Sequence, residues 1–321
     1  MLAGIGACVD DDVVDGNLKT LEQLLDHRVA SGYDGVELGV GVCNGIRCGR
    51  LVPSELERLK RLLSRYPLRY TLHGPCELSL LRNPELAARV LESCLTYAAY
   101  IGAEVVVYHS AQIALHEPSI GLAPLPSVAE LEEMWRRETE VLGHFARRAE
   151  ELGVVLAVEN RDPHLWEVAT LARSNHPASD LLTYHQGMSL SRLRTQVQQI
   201  GSDKVGICLD VGHAFLAAPY WESPDYLAAV QDCAPWVKHV HFHDNFGQID
   251  DRSVTFCDRL IFGEADNHMP PGWGCIPLRQ TLQALMAAGY AGWIVLELRP
   301  RYEEYHQEAL AYVHGLLDIG R

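Results

Sequence analysis

The sequence contains no CxxC pair, no glycine-rich phosphate fingerprint after its first apolar segment, and no apolar run near the roughly 18 residues a membrane span requires. Its nine cysteines are an odd number, scattered through a chain too long to need covalent staples, and read as reduced thiols rather than a disulfide framework. Basic residues are scarce. Lys and Arg number 27 against 42 Asp and Glu, and the resulting net charge of −15 repels a polyphosphate backbone, which argues against nucleic acid as a partner. The first nine residues carry no basic cluster and run into Asp10, Asp11 and Asp12, so they read as a strand and not as a signal peptide. Together these absences point to a cytoplasmic protein without a membrane partner.

What is present is periodic. Of the 321 residues, 48% are hydrophobic and 21% charged, enough to bury a full core. Short β-branched runs alternate with long amphipathic stretches. Eight strands are expected, at Leu2–Val9, Gly35–Leu38, Leu68–His73, Glu104–His109, Val154–Asn160, Val205–Asp210, Val237–His243 and Trp293–Glu297. Helices are expected between them, with Asn17, Ser54, Asn83 and Ser127 as N-caps. Eight such units without a dinucleotide fingerprint predict an α/β fold, a single (β/α)8 TIM barrel domain over 1–321. The surplus over the usual barrel length falls in two long loops, Arg161–Ser202 after strand five and Asn245–Ile276 after strand seven.

In such a barrel the C-terminal strand ends converge on one mouth. Here those ends deliver Glu37, His73, His109, Glu159, Asp210, His241 and Glu297 to similar heights. Carboxylates gathered in a partly desolvated mouth require a compensating cation, and the mixture with imidazole suits a divalent metal. Mn²⁺ or Zn²⁺ lead, with Co²⁺, Fe²⁺ or Mg²⁺ as alternatives. Glu159, Asp210, His241 and Glu297, on strands five to eight, are the expected ligands. Glu37 reads equally as an ion-pair partner inside the barrel.

The segments Gly32-Tyr-Asp-Gly-Val-Glu-Leu38, Ala157-Val-Glu-Asn160, Leu209-Asp-Val-Gly-His213, His241-Phe-His-Asp-Asn245 and Leu296-Glu-Leu-Arg-Pro300 together resemble the xylose isomerase-like barrels. That superfamily holds sugar-phosphate isomerases and epimerases, inosose isomerase-type proteins and endonuclease IV. The resemblance implies one ion held by Glu159, Asp210, His241 and Glu297. It also implies that Glu159 and Glu297 double as acid and base, with His213 touching a substrate oxygen. The endonuclease IV branch implies a nine-residue, three-zinc set that would add His73, His109, His213, Asp266 and His268. The acidic net charge, and the lack of an Arg-rich aromatic loop at Gly39–Cys48, speak against a DNA substrate.

The expected activity is therefore divalent-metal-dependent isomerisation, epimerisation or a related enolate-forming elimination on a small sugar, inosose or keto-polyol. The alternative is a multinuclear zinc phosphoesterase. Trp166, Tyr184, Trp221, Phe246 and Trp273 are candidates for stacking on a sugar face. No phosphate clamp is legible, although Arg161, Lys204, Arg299 and Arg301 could each supply a cation. The sequence leaves the oligomeric state open, a homo-oligomer included.

Overall fold

A computed structural model describes residues 2–110, 113–249, 252–253 and 255–318. Eight parallel strands close into a barrel: β1 (Gly4–Val9), β2 (Gly35–Gly39), β3 (Arg69–His73), β4 (Val105–His109), β5 (Val155–Glu159), β6 (Val205–Asp210), β7 (Val237–His241) and β8 (Trp293–Leu296). Each pairs with its sequence neighbours, and β1 pairs with β8 from Gly4 opposite Trp293 to Ala7 opposite Leu296. The fold is the (β/α)8 barrel expected from the alternation. Parallel strands covered on both faces need near-continuous apolar runs, and Val105–Tyr108 and Val205–Leu209 are buried throughout.

The register sets the height of the mouth. His109 lies opposite Glu159, and Asp210 lies opposite His241 beyond a register shift at Ile207 and Cys208. Five strands, β3 to β7, end on His73, His109, Glu159, Asp210 and His241, and Glu297 directly follows β8. Strand β7 stops at His241, two residues short of the expected end, so His243 belongs to the following loop.

Three local expectations are corrected. Ser54 is not an N-cap: the helix is Pro53–Leu63 with Val52 at the cap, because proline's fixed φ and missing N–H suit the first helical position. Asn83 occupies its cap position without a side-chain bond, whereas Asn17 accepts from the Lys19 N–H, and Ser127 forms a reciprocal capping box with Glu130. The first long loop also has structure of its own, with helices at Leu165–Arg173, Leu181–Tyr184 and Leu190–Ile200. In the second loop, positions 250, 251 and 254 lie outside the described residues.

The helix Leu18–Ser31 shows how the barrel seam is held. Its inward stripe buries Leu21 and Leu25, each worth roughly 1.5–3 kcal/mol, and continues to Arg28, only 3% exposed. A buried guanidinium needs a partner. Glu303, from the segment after β8, supplies both carboxylate oxygens, at 2.5 Å from Nη1 and 2.9 Å from Nη2. Partial burial would raise the Glu303 carboxyl, but His306 and Arg28 outweigh it and hold the group well below the usual carboxylate range. A depressed folded pKa contributes stability above the unfolded carboxylate range, and that contribution is lost as pH falls. Glu303 is 34% exposed, so solvent screening trims the effect, and Glu303→Gln should cost about 2 kcal/mol of unfolding free energy at pH 7. Denaturant melts of both proteins should show this gap closing below about pH 4. An equal gap at pH 3 and pH 7 would refute the ion pair as the source.

Candidate metal centre

Inside the barrel mouth, Glu37 of β2 is buried and acts as a bracket. Its Oε2 accepts from His239 Nε2 at 2.7 Å and from the Thr71 hydroxyl at 2.9 Å, and its Oε1 accepts from His241 Nε2 at 2.8 Å. The expected ion pair inside the barrel is thus present, with two histidines as partners. Burial would raise the Glu37 carboxyl, but the adjacent His241 and His239 hold it well below its usual range. With Nε2–H committed to Glu37, His241 turns Nδ1 toward the mouth. That atom lies 2.9 Å from Glu159 Oε1, 3.0 Å from Glu297 Oε2 and 3.8 Å from Asp210 Oδ2. The structure therefore brings together Glu159, Asp210, His241 and Glu297, the four residues expected around one ion.

The electrostatics favour a cation there. One ring nitrogen carries at most one proton, yet it faces three carboxylates. Glu159 Oε2 and Glu297 Oε2 are buried without a well-directed hydrogen bond, an arrangement that is costly unless another ligand supplies the charge. Burial would favour the neutral His241 ring, but the surrounding groups, Glu297, Glu159 and Glu37 among them, hold its pKa well above the usual histidine value. Carboxylate oxygen with imidazole nitrogen is the donor set of Mn²⁺, Zn²⁺, Co²⁺ or Fe²⁺, and the residues present fit such an ion.

Asp210 is held from several sides. Its Oδ1 caps the helix Val211–Ala217 by accepting the His213 N–H at 2.7 Å, and its two oxygens lie 3.1 and 2.9 Å from His243 Nε2. His243 fits only because residue 212 is glycine: a Cβ there would stand 2.1 Å from the His243 ring. Asn160 knits β5 to β6 by accepting the Asp210 N–H at 2.9 Å and donating to the Asp210 carbonyl at 3.0 Å. His243, Gly212 and Asn160 act through the ligand set and carry no sequence signal beyond their adjacency to it.

A second cluster lies beside the first. His213 Nδ1 donates to the Asn160 carbonyl at 2.9 Å, and His268 Nδ1 donates to the Glu297 carbonyl at 3.0 Å. Both therefore turn Nε2 toward Asp266 Oδ2, at 3.4 and 2.6 Å, and that oxygen is another buried atom without a hydrogen bond. His268 is aimed by left-handed backbone, with φ 43°, a conformation uncommon outside glycine.

The remaining pair, His73 and His109, face Glu159 Oε2 at 3.4 and 2.6 Å. They differ in their outer contacts. His73 Nδ1 donates to the Gly74 carbonyl at 2.7 Å, whereas His109 Nδ1 meets the Arg161 guanidinium, which only donates. Burial pushes the His109 imidazole down to about 4, and Arg161 reinforces this against the pull of Glu159. With a guanidinium at Nδ1, His109 faces Glu159 through Nε2, the atom a metal would need.

The aromatic expectations divide. Trp166 lines a cavity at the mouth. Tyr184 is buried in a satellite core, Trp221 donates to the Met188 carbonyl at 2.9 Å, Phe246 packs near Gly263, and Trp273 sits edge-on to Tyr302 and Tyr305. Of the basic candidates, Lys204 donates to the Gly153 carbonyl and Arg299 to the Asp266 carbonyl, Arg301 lies over the Tyr302 ring, and Arg161 lines the same cavity as Trp166.

Fold and mouth together define a parallel α/β barrel with a carboxylate–imidazole centre. The chain belongs to the xylose isomerase-like TIM barrel family, whose profile matches residues 25–315. It is 23% identical to an inosose dehydratase of Lacticaseibacillus casei, across 99% of this chain and 97% of that one. A D-tagatose 3-epimerase-like protein superposes with a TM-score of 0.66 at 20% identity, covering 99% and 98% of the two chains. The IolI protein with a bound zinc atom superposes with a TM-score of 0.62 at 17% identity, covering 99% and 97%.

If Glu37 fixes the donor atom of His241, Glu37→Gln should weaken Mn²⁺ or Zn²⁺ binding about 10–100-fold without removing a ligand. Competition with a chelating dye measures this, and unchanged affinity would show that the bracket has no bearing on the ion.

Proposed function

We propose that the chain, acting as one barrel domain over 1–321, is a divalent-metal-dependent isomerase or epimerase of a small polyhydroxylated carbonyl compound. The ion would be held by Glu159, Asp210, His241 and Glu297. The observation that carries this reading is the pair of glutamates, from β5 and from the end of β8, that approach the same His241 nitrogen to 2.9 and 3.0 Å. A binding module needs no such pair. When bound, a divalent ion supplies positive charge against the oxyanion that develops as a proton leaves the carbon beside a carbonyl.

The chain's own groups do the proton work. Glu159 is buried to 1% exposure and Glu297 is 20% exposed. Each is held well below the usual carboxylate range, because neighbouring imidazoles outweigh the opposing effect of burial. Both therefore rest as carboxylates: one takes the α-proton and returns it to the neighbouring carbon or passes it to water, and for inversion the other must first take a proton from water and then deliver it from the opposite face. Return to the opposite face inverts the carbon, and return to the neighbouring carbon moves the carbonyl. His213 has its Nδ1–H on Asn160 and its Nε2 toward the mouth, a position suited to contact a substrate oxygen. Relatives named as an inosose dehydratase and as a fructoselysine 3-epimerase of Escherichia coli O157:H7 act on substrates of this polyhydroxylated class. Elimination in place of proton return would use the same parts.

The Mn²⁺- or Co²⁺-loaded protein should exchange an α-proton with deuterium oxide on a ketose, inosose or keto-glycoside, read by proton NMR. Glu159→Gln and Glu297→Gln should each slow exchange by at least about 100-fold, with the ion partly retained. Retained exchange in either variant overturns the pairing.

A multinuclear phosphoesterase is the second reading, and the convergence of His213 and His268 on Asp266 Oδ2 favours it. The Arg161 contact on His109 opposes the full three-ion set. Anomalous scattering at the metal edge should give a peak among Glu159, Asp210, His241 and Glu297 and none between His73 and His109. Peaks at all three clusters, with phosphodiester cleavage and no proton exchange, would replace the isomerase reading.

A further inference from the structure

Beside the metal centre the mouth opens into a cavity of about 390 Å³ on the β3–β5 side. Its wall begins one residue from the centre: Ser110 follows His109, and its N–H donates to the Glu159 carbonyl at 3.1 Å. Arg161 lies two residues beyond Glu159, with one end of its guanidinium on His109 and the rest lining the cavity. Arg82, from the loop after β3, lines it as well and makes no ion pair among the described residues. Two guanidinium groups therefore face Glu77 as the cavity's one carboxylate among the described residues, on a protein whose net charge is −15.

The hydroxyl inventory points the same way. Ser110 is 1% exposed, lines the cavity, and its Oγ has no hydrogen-bond partner. A buried hydroxyl left so costs on the order of 1–3 kcal/mol unless a ligand satisfies it. His116 Nδ1, on the same wall, is likewise buried and unpartnered. Ser79 Oγ accepts the Leu81 N–H at 3.3 Å, which leaves its own proton to donate. Gly187 keeps the wall open: a Cβ there would stand 2.3 Å from Ser110 Oγ and 3.2 Å from Arg161 Cγ. A neutral polyol would satisfy Ser110 but gives no reason for two guanidinium groups. An oxyanion offers acceptors both to the serine hydroxyls and to the guanidinium groups that line this wall.

We infer that this cavity is the subsite for an anionic group, a phosphate ester or a carboxylate, carried by the substrate away from its reacting carbon. The inference deepens the isomerase reading and rests on it for the word substrate. The anion site itself is tested without catalysis. Inorganic phosphate and succinate, titrated separately by calorimetry into the Mn²⁺-loaded protein, distinguish the two sources. One of them should bind, and Arg82→Ala and Ser110→Val should each weaken that binding at least tenfold with metal content unchanged. Arg82 is exposed, so its variant reports even if the buried Ser110 variant fails to fold. If neither anion binds, or if binding survives Arg82→Ala undiminished because the anion sits on the ion, the subsite is overturned. Proton exchange compared between fructose and fructose 6-phosphate, or a sugar acid, then addresses the substrate. Loss of all exchange would sink the isomerase reading while the calorimetric result still decides the cavity.

Discussion

A single buried carboxylate orients the whole mouth. Glu37 spends both oxygens on His239 and His241, and by taking the Nε2 proton of His241 it dictates which nitrogen faces the three acidic strand ends. The contacts of Glu159 and Glu297 with His241 Nδ1 follow from that choice. The bracket works because Glu37, His239 and His241 are all buried in the closed barrel: a charge placed there keeps its partners fixed, and an imidazole tied at one end has little freedom at the other.

The same logic, repeated with backbone carbonyls, sorts the remaining histidines by capability. His213 and His268 tie Nδ1 to carbonyl oxygens and turn Nε2 toward Asp266, while His109 meets a guanidinium at Nδ1 and turns Nε2 toward Glu159. A shared inventory of nine metal-binding residues thus does not by itself imply a shared number of ions. What lies behind each ring decides what it can offer, and Arg161 is what sets His109 apart from the other histidines of the mouth.

Much of the barrel and its centre was legible in the sequence, because both depend on local regularities. Alternating βα periods gave the strands to within two residues, and a His, Asp or Glu closing nearly every strand could be placed at one height without tertiary information. Features that depend on assembly were not legible. The helix start at Pro53 was misread because serine's preference for the cap at 54 competes with proline's preference for the first helical position at 53. Glu37 could be assigned an ion pair but not its two histidines, since β2 and β7 meet only across the closed barrel. Arg82, Ser110 and His116 carry no motif, because loops distant in sequence bring them to one cavity wall. Of the aromatic residues proposed for stacking, Trp166, Tyr184 and Phe246 each line a cavity, whereas Trp221 and Trp273 commit their indole N–H groups to the Met188 carbonyl and to Glu308.

The seam between β1 and β8 bears on how the chain is made. Strand β2 is available to pair with β1 as soon as the first helix has formed, but β8 follows some 290 residues later, and so does Glu303, the partner of the buried Arg28. During synthesis the first strand therefore spends most of its early life with one edge open, and Arg28 with its charge unmatched. Closing the barrel and neutralising that guanidinium therefore both wait on the segment from Trp293 to Glu303, so a chain interrupted before it would expose an adhesive strand edge.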